Sequence, residues 1–155
     1  IGDMVIFLPY IEAISKYLNS PVSLLVKEST KCSEYLKDNP NIDKIITLDR
    51  DDKKKIGKHY GFNGIFNLAK ELKNYNFDKV FIFNSSLRYQ CIARLAKIKK
   101  IYQYKLFDKK NQNIIKTAKN FLKKNINLEV ESNPKIILNL QKITRAKKQT
   151  HIPRS

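Results

Sequence analysis

Residues 78–96 read DKVFIFNSSLRYQCIARLA, and this stretch decides the fold class. It opens with the apolar run Val80-Phe81-Ile82-Phe83, which has the length of a buried strand. Polar residues end that run, and apolar residues then return at helical spacing from Leu87 to Ala96. The stretch therefore predicts a buried strand that leads directly into a helix.

The same order of strand and helix repeats along the chain. Strands are predicted at residues 22–26, 44–48, 101–104 and 135–140, and helices at residues 5–18, 29–36, 65–72 and 114–122. Short apolar runs separated by amphipathic helices are typical of a parallel sheet covered on both faces, because parallel strands need long crossovers. We therefore predict an α/β fold, Rossmann-like, with a doubly wound parallel sheet.

The domain organisation follows from the same pattern. We expect one domain over residues 1–140. Residues 141–155 carry five Lys or Arg, no acid and few apolar side chains, so we expect a linker or a frayed tail there.

The first residues are candidates for chemistry. Gly2 and Asp3 lead into a helical pattern, and ligands of open parallel sheets bind where strands end and helices begin. Such a turn needs a preceding strand, so we expect that strand upstream of residue 1 and interpret the sequence as a fragment. Asp3 is also a favoured N-cap residue, and a helix N-terminus favours its ionised form, which weakens it as a base unless a closing domain excludes water. Pro9 predicts either a kink or a short turn before the main helix.

A second group of candidates follows the strand at Val80–Phe83. Ser86 offers a hydroxyl to a substrate, and Arg88 offers a guanidinium to an anionic group. Parallel strands would place both at the same sheet edge as Asp3. The alternative for Ser86 is simple capping of the helix that it precedes.

The net charge of +17 is concentrated in one half of the chain. Residues 1–78 carry 12 Lys or Arg against 11 acids, whereas residues 79–155 carry 19 against 3. The lysines of this half form either an ordinary solvated surface or a surface selected for an anionic partner. Similarly, the apolar stripe of residues 109–122 either lies on a membrane or packs on the sheet.

Several classes of site are disfavoured. No apolar run approaches the roughly 20 residues of a membrane-spanning helix. Cys32 and Cys91 are far apart, as expected of two reduced thiols in a cytoplasmic protein, and two isolated histidines do not indicate a zinc site. The glycines at residues 57–64 match no phosphate-binding loop, so we expect no metal and no cofactor.

A set of short motifs, in the right order, resembles the N-terminal half of the bacterial heptosyltransferase family, glycosyltransferase family 9. The motifs are Gly2-Asp3 with Pro9, Glu28 after a strand, Asn39-Pro40-Asn41-Ile42-Asp43 before Ile45-Ile46, and Ser86-Leu87-Arg88 before Ala93, Leu95 and Ala96. They cover about residues 1–105. The missing first strand and the missing C-terminal domain are departures from the family pattern.

The resemblance implies a two-domain GT-B architecture, in which this chain is the acceptor-side half. It also implies inverting, metal-independent sugar transfer in lipopolysaccharide core synthesis, with Asp3 as general base and a nucleotide-sugar donor, ADP-heptose, held mainly by the other domain. The acceptor would be an anionic glycolipid, and the enzyme would be cytoplasmic and peripheral on the inner membrane. The fragment alone would be inactive.

Two other functions stay open. The basic half favours a nucleic-acid-binding α/β domain, although no aromatic RNA-binding motif accompanies the lysines and only 5 of the 31 cations are Arg. A receiver-type regulatory domain would need an acidic pocket at matched strand ends, and the acids at residues 49–52 have no clear partner in the sequence.

Overall fold

The computed structural model describes residues 2–104 and 113–131, and for residues 2 and 3 it describes the backbone. The helices are α1 (Gly2–Leu18), α2 (Cys32–Tyr35), α3 (Asn63–Lys73), α4 (Leu87–Leu95) and α5 (Ile114–Ile126), and the strands are β1 (Val22–Lys27), β2 (Ile42–Leu48), β3 (Lys79–Ile82) and β4 (Lys100–Gln103). Residues 2–46 belong to one compact unit, and residues 47–104 with 113–131 belong to a second.

The predicted alternation of strands and helices is confirmed over the described residues. One helix differs from the prediction: residues 29–36 form a 3-10 turn at Glu28–Thr30 and then the short α2, because Lys31 between them is left-handed at φ 51°. The strand predicted at residues 135–140 and the tail predicted at 141–155 lie outside the described residues.

Helix α1 is continuous through Pro9, which lies inside it. Pro9 has no N–H and cannot donate to the carbonyl of Val5, one helical turn earlier. The predicted alternative of a separate short turn before the main helix is therefore wrong, and Gly2 and Asp3 already belong to the first turn of α1.

The core of the first unit joins α1, β1 and α2. Strand β1 pairs with β2 in a two-stranded sheet, and the buried side chains of Leu8, Ile11, Leu24, Cys32 and Leu36 form one cluster. Burial of a side chain of this size contributes about 1.5–3 kcal/mol. The apolar face of α1 is thus covered by side chains of β1 and α2, and this packing stabilises the helix.

The second unit is built on β3 and β4, which run parallel with Val80 opposite Ile101 and Phe81 opposite Tyr102. The Phe81 and Tyr102 rings stack with their centroids 4.8 Å apart. The parallel pairing and the α4 crossover between these strands are those of a Rossmann-like α/β fold.

Helix α5 packs its apolar stripe into this second unit. The Phe121 ring meets the Tyr104 and Phe83 rings edge to face, at centroid distances of 4.8 Å and 5.3 Å, and Ala118 and Leu122 beside it are fully buried. The stripe therefore packs in the core, as one of its two predicted alternatives requires, and it does not form a membrane-facing surface.

Candidate functional site

The connection from β3 to α4 is a tight polar turn. The Ser86 N–H donates to Asn84 Oδ1 at 2.8 Å, which closes a turn immediately after the strand. Ser86 is the N-cap residue of α4, yet its hydroxyl makes no capping hydrogen bond. The capping alternative therefore does not explain the Ser86 side chain, which is exposed at the carboxyl end of β3.

Gln103 ties this turn to the neighbouring strand. Its Nε2 donates to the carbonyls of Asn84 at 2.9 Å and Ser86 at 2.8 Å. Gln103 is the last residue of β4 and lies opposite Ile82, the last residue of β3. The carboxyl ends of both strands are thus fixed to one turn, and Gln103 is a site residue that the sequence did not reveal.

Arg88, in the first turn of α4, holds a distant loop. Its Nη1 donates to the carbonyl of Gly61 at 2.7 Å, and its Nη2 donates to the carbonyl of His59 at 2.6 Å. A guanidinium has five N–H donors, so three are not used in these two bonds. Arg88 therefore joins α4 to the loop before α3 through two hydrogen bonds. Its predicted contact with an anion would use the remaining donors.

The loop that Arg88 holds is itself ordered by Asp49 and His59. The Asp49 N–H donates to His59 Nδ1 at 3.1 Å, and the Asp49 carbonyl accepts from the His59 N–H at 2.9 Å. Since Nδ1 accepts, the ring proton is on Nε2, which donates to Glu71 Oε2 at 3.1 Å. The buried His59, which is 2% exposed, joins the end of β2 to α3.

Glu71 and two glycines complete this arrangement. A hydrogen bond from Lys58 lowers the pKa of Glu71 below its ordinary value, with a further contribution from His59. Gly57 has φ +114°, and a Cβ there would lie 2.6 Å from the Asp49 carbonyl oxygen. A Cβ on Gly64 would lie 2.2 Å from the His59 carbonyl carbon. Both positions require glycine because backbone approaches backbone there.

The charge of a second arginine acts on the first. Arg50, just after β2, forms an ion pair with Asp52 at 2.6 Å. Burial lowers the pKa of Arg88, and the positive charge of Arg50 lowers it further. Within the described residues the buried Nε of Arg50 has no hydrogen-bond partner. Arg50 and Arg88 each carry N–H donors of the kind that bind an anion such as a phosphate.

The remaining candidates fall in the first unit. Gly2 and Asp3 start α1, and the side chain of Asp3 lies outside the described part of the structure. Over residues 2–104 and 113–131, no group of three His, Cys, Asp or Glu residues is arranged to hold a metal ion, and no helix is long and apolar enough to cross a membrane. Both cysteines are free thiols.

Comparison with known proteins gives one informative match. No family model matches the chain, and no curated protein matches it. Among solved structures, the chain is similar to the crystal structure of the glycosyl transferase family 9 from Veillonella parvula DSM 2008, with a TM-score of 0.66 and 19% sequence identity. The similarity covers 97% of this chain and 46% of that chain.

The fold match and the parallel pairing of β3 with β4 define the class of protein as a Rossmann-like α/β domain. The predicted fold class is thereby confirmed. The particular structure that it resembles is a family 9 glycosyltransferase, and the chain spans about half of that protein's length, 46%. At 19% identity the likeness concerns the fold, so activity is argued from the residues below.

Proposed function

We propose that this chain is the acceptor-side half of a family 9 glycosyltransferase. The observation that carries the proposal is the fold match over 97% of the chain, which includes the segments where the family motifs were recognised. A shared fold alone does not fix an activity. The ordered motifs from Gly2-Asp3 to Arg88, however, point to the same family as the fold match.

The proposed reaction is the inverting transfer of a sugar from a nucleotide-sugar donor, ADP-heptose or a related ADP-sugar. Asp3 takes the proton from an acceptor hydroxyl while that oxygen attacks the anomeric carbon. The bond to the nucleoside diphosphate breaks, and the diphosphate leaves with the electron pair. No metal is required in this proposal, and the donor is held mainly by a second domain.

The proposed acceptor is an anionic glycolipid of the lipopolysaccharide core. Support comes from two arginines that follow strands, Arg50 just after β2 and Arg88 at the start of α4. Ser86 adds an exposed hydroxyl two residues before Arg88. A guanidinium binds a phosphate through its N–H donors, and the hydroxyl adds a neutral donor. The enzyme would act at the cytoplasmic face of the inner membrane, where such an acceptor is displayed.

The experiment is a transfer assay with the full-length protein. Purified protein is incubated with ADP-heptose and a heptose-free lipopolysaccharide core acceptor, and ADP release is measured by chromatography. We expect ADP release that requires the acceptor, and a product whose anomeric configuration, read by NMR, is inverted relative to the donor. UDP-heptose serves as the matched donor control. The proposal would be overturned if none of a panel of nucleotide-sugars gave acceptor-dependent release of its nucleoside diphosphate.

A further inference from the structure

The charge of residues 53–70 differs from that of the sequence around it. This segment carries five Lys and no acid, although residues 1–78 as a whole are nearly balanced at 12 cations against 11 acids. Of these five, Lys58 is paired with Glu71. The segment is thus a local basic surface in an otherwise nearly neutral half of the chain.

Three of the lysines lie at the tip of a small hairpin. Asp51 and Ile56 exchange backbone hydrogen bonds at 2.9 Å and 3.2 Å. The Asp51 carboxylate also accepts from the N–H groups of Lys53 and Lys54, at 2.9 Å and 3.0 Å. Lys53, Lys54 and Lys55 are exposed, and among the described residues none of their ammonium groups is in an ion pair. The hairpin therefore presents three positive charges from an ordered turn.

Two phenylalanines are exposed at the start of α3. Phe62 is 73% exposed and Phe66 is 49% exposed, and their rings meet edge to face at 5.3 Å. Spaced four residues apart, they lie on one face of the helix, and Lys70 continues that face. Exposed aromatic rings in contact with one another are a surface that gains from being covered.

The neighbouring helix adds a further apolar side chain. Leu87 is 62% exposed and precedes Arg88, whose guanidinium binds the carbonyl of Gly61 next to Phe62. Ile56 of the hairpin is 58% exposed. Leu87 and Phe62 are thus joined through Arg88 at the N-terminal ends of α4 and α3, just after β3. The charge of Asp52, the residue before the three lysines, acts on the same Arg88.

We propose that this lysine–phenylalanine surface, formed by Lys53, Lys54, Lys55, Phe62 and Phe66, docks the protein on an anionic phospholipid membrane. The lysines meet the negative lipid headgroups, and the two rings enter the boundary between headgroups and acyl chains. Aliphatic neighbours such as Ile56 and Leu87 favour acyl chains over nucleic-acid bases as the occupant. The inference deepens the proposed function, because a membrane-borne acceptor must reach the carboxyl ends of the strands.

The test is flotation of the full-length protein with vesicles that contain neither donor nor acceptor. Vesicles of phosphatidylcholine with about one quarter phosphatidylglycerol are compared with pure phosphatidylcholine. We expect binding to the anionic vesicles that weakens as salt rises. Each lysine near an anionic surface contributes about fivefold in affinity, so replacing Lys53, Lys54 and Lys55 with Ser should weaken binding about a hundredfold. Phe62→Ser with Phe66→Ser should weaken it about tenfold or more.

The matched control removes three other lysines of the same unit. Lys97, Lys99 and Lys100 are exposed; the first two precede β4 and Lys100 begins it, at the opposite end of the parallel pair from Ser86. Lys99 forms an exposed ion pair with Asp78. Their triple Ser variant loses the same charge, and we expect about a twofold effect on vesicle binding. Circular dichroism checks that every variant is folded.

Three results would overturn the proposal: no binding of the unchanged protein to anionic vesicles, equal losses in the two lysine triples, or unchanged binding after loss of both rings. Self-association through the rings, seen as a dimer that the phenylalanine variant abolishes, would assign the surface to a second copy instead. Sugar transfer is measured separately with a water-soluble acceptor. Failure of docking is thereby distinguished from failure of the proposed reaction.

Discussion

Replacing Arg88 removes the two hydrogen bonds that join α4 to the loop before α3. The guanidinium makes two charge-assisted hydrogen bonds, to the carbonyls of Gly61 and His59 at 2.7 Å and 2.6 Å. Hydrogen bonds to charged groups contribute about 1.5–3 kcal/mol each, and the loop carbonyls can regain water when the guanidinium is lost. We therefore expect Arg88→Met to lower the free energy of unfolding by about 3 kcal/mol, the low end for two bonds. Arg88→Lys should cost about half, because one ammonium does not span both carbonyls.

The assay is urea unfolding followed by circular dichroism, together with hydrogen exchange of the amides of residues 57–64. Exchange should accelerate there in Arg88→Met. The matched control is Arg94→Met, an exposed arginine of the same helix, which we expect to change stability by less than about 0.5 kcal/mol. If Arg88→Met is as stable as Arg94→Met and exchange at residues 57–64 is unchanged, the Arg88 hydrogen bonds do not stabilise the loop.

Three further substitutions test the packing around this loop and the core. Gly64→Ala should lower the free energy of unfolding by about 1–3 kcal/mol despite the better helix propensity of Ala, since its Cβ would meet the His59 backbone at 2.2 Å; stability equal to the unchanged protein in urea would refute that contact. Phe121→Ala should cost about 3–5 kcal/mol by the same assay, because the ring is 6% exposed and contacts two other rings; a loss below about 1 kcal/mol would place it outside the core. Glu71→Gln should destabilise the protein at neutral pH, because the Lys58 hydrogen bond keeps the pKa of Glu71 below its ordinary 4.5. That stabilisation is present above pH 4.5 and is lost as pH falls through the pKa of Glu71 in the folded protein. A stability difference between the two proteins that does not shrink in acid would contradict the ion pair.

The order of strands and helices was predictable because it is written in local periodicity. The run Val80–Phe83 followed by the α4 pattern predicted a strand and a helix, and both form within one residue of the expected positions. The break at Lys31 was not predictable, since a left-handed lysine leaves no mark in an apolar pattern. Pro9 was ambiguous in the sequence because proline inside a helix is tolerated when the helix is packed.

The candidate site was predictable only in part. Arg88 stood out because it follows a strong strand, but its partners are 27 and 29 residues away, and no local pattern encodes such a contact. His59 appeared isolated for the same reason, since Glu71 reaches it only when α3 forms. Gln103 could have been found by aligning the ends of the two predicted parallel strands. The substrate-binding roles of Gly2, Ser86 and Arg88 stay predictions.

The central claim is that Asp3 is the base in sugar transfer, and one measurement tests it most directly. The full-length protein with Asp3→Asn is compared with Asp38→Asn, which changes an exposed carboxylate of the same unit, in acceptor-dependent ADP release from ADP-heptose. General base catalysis contributes about 10²–10⁴-fold, so Asp3→Asn should lower kcat by at least about a hundredfold while donor affinity and unfolding in urea stay unchanged. Asp38→Asn should turn over normally. Turnover by Asp3→Asn equal to that of Asp38→Asn would contradict the account.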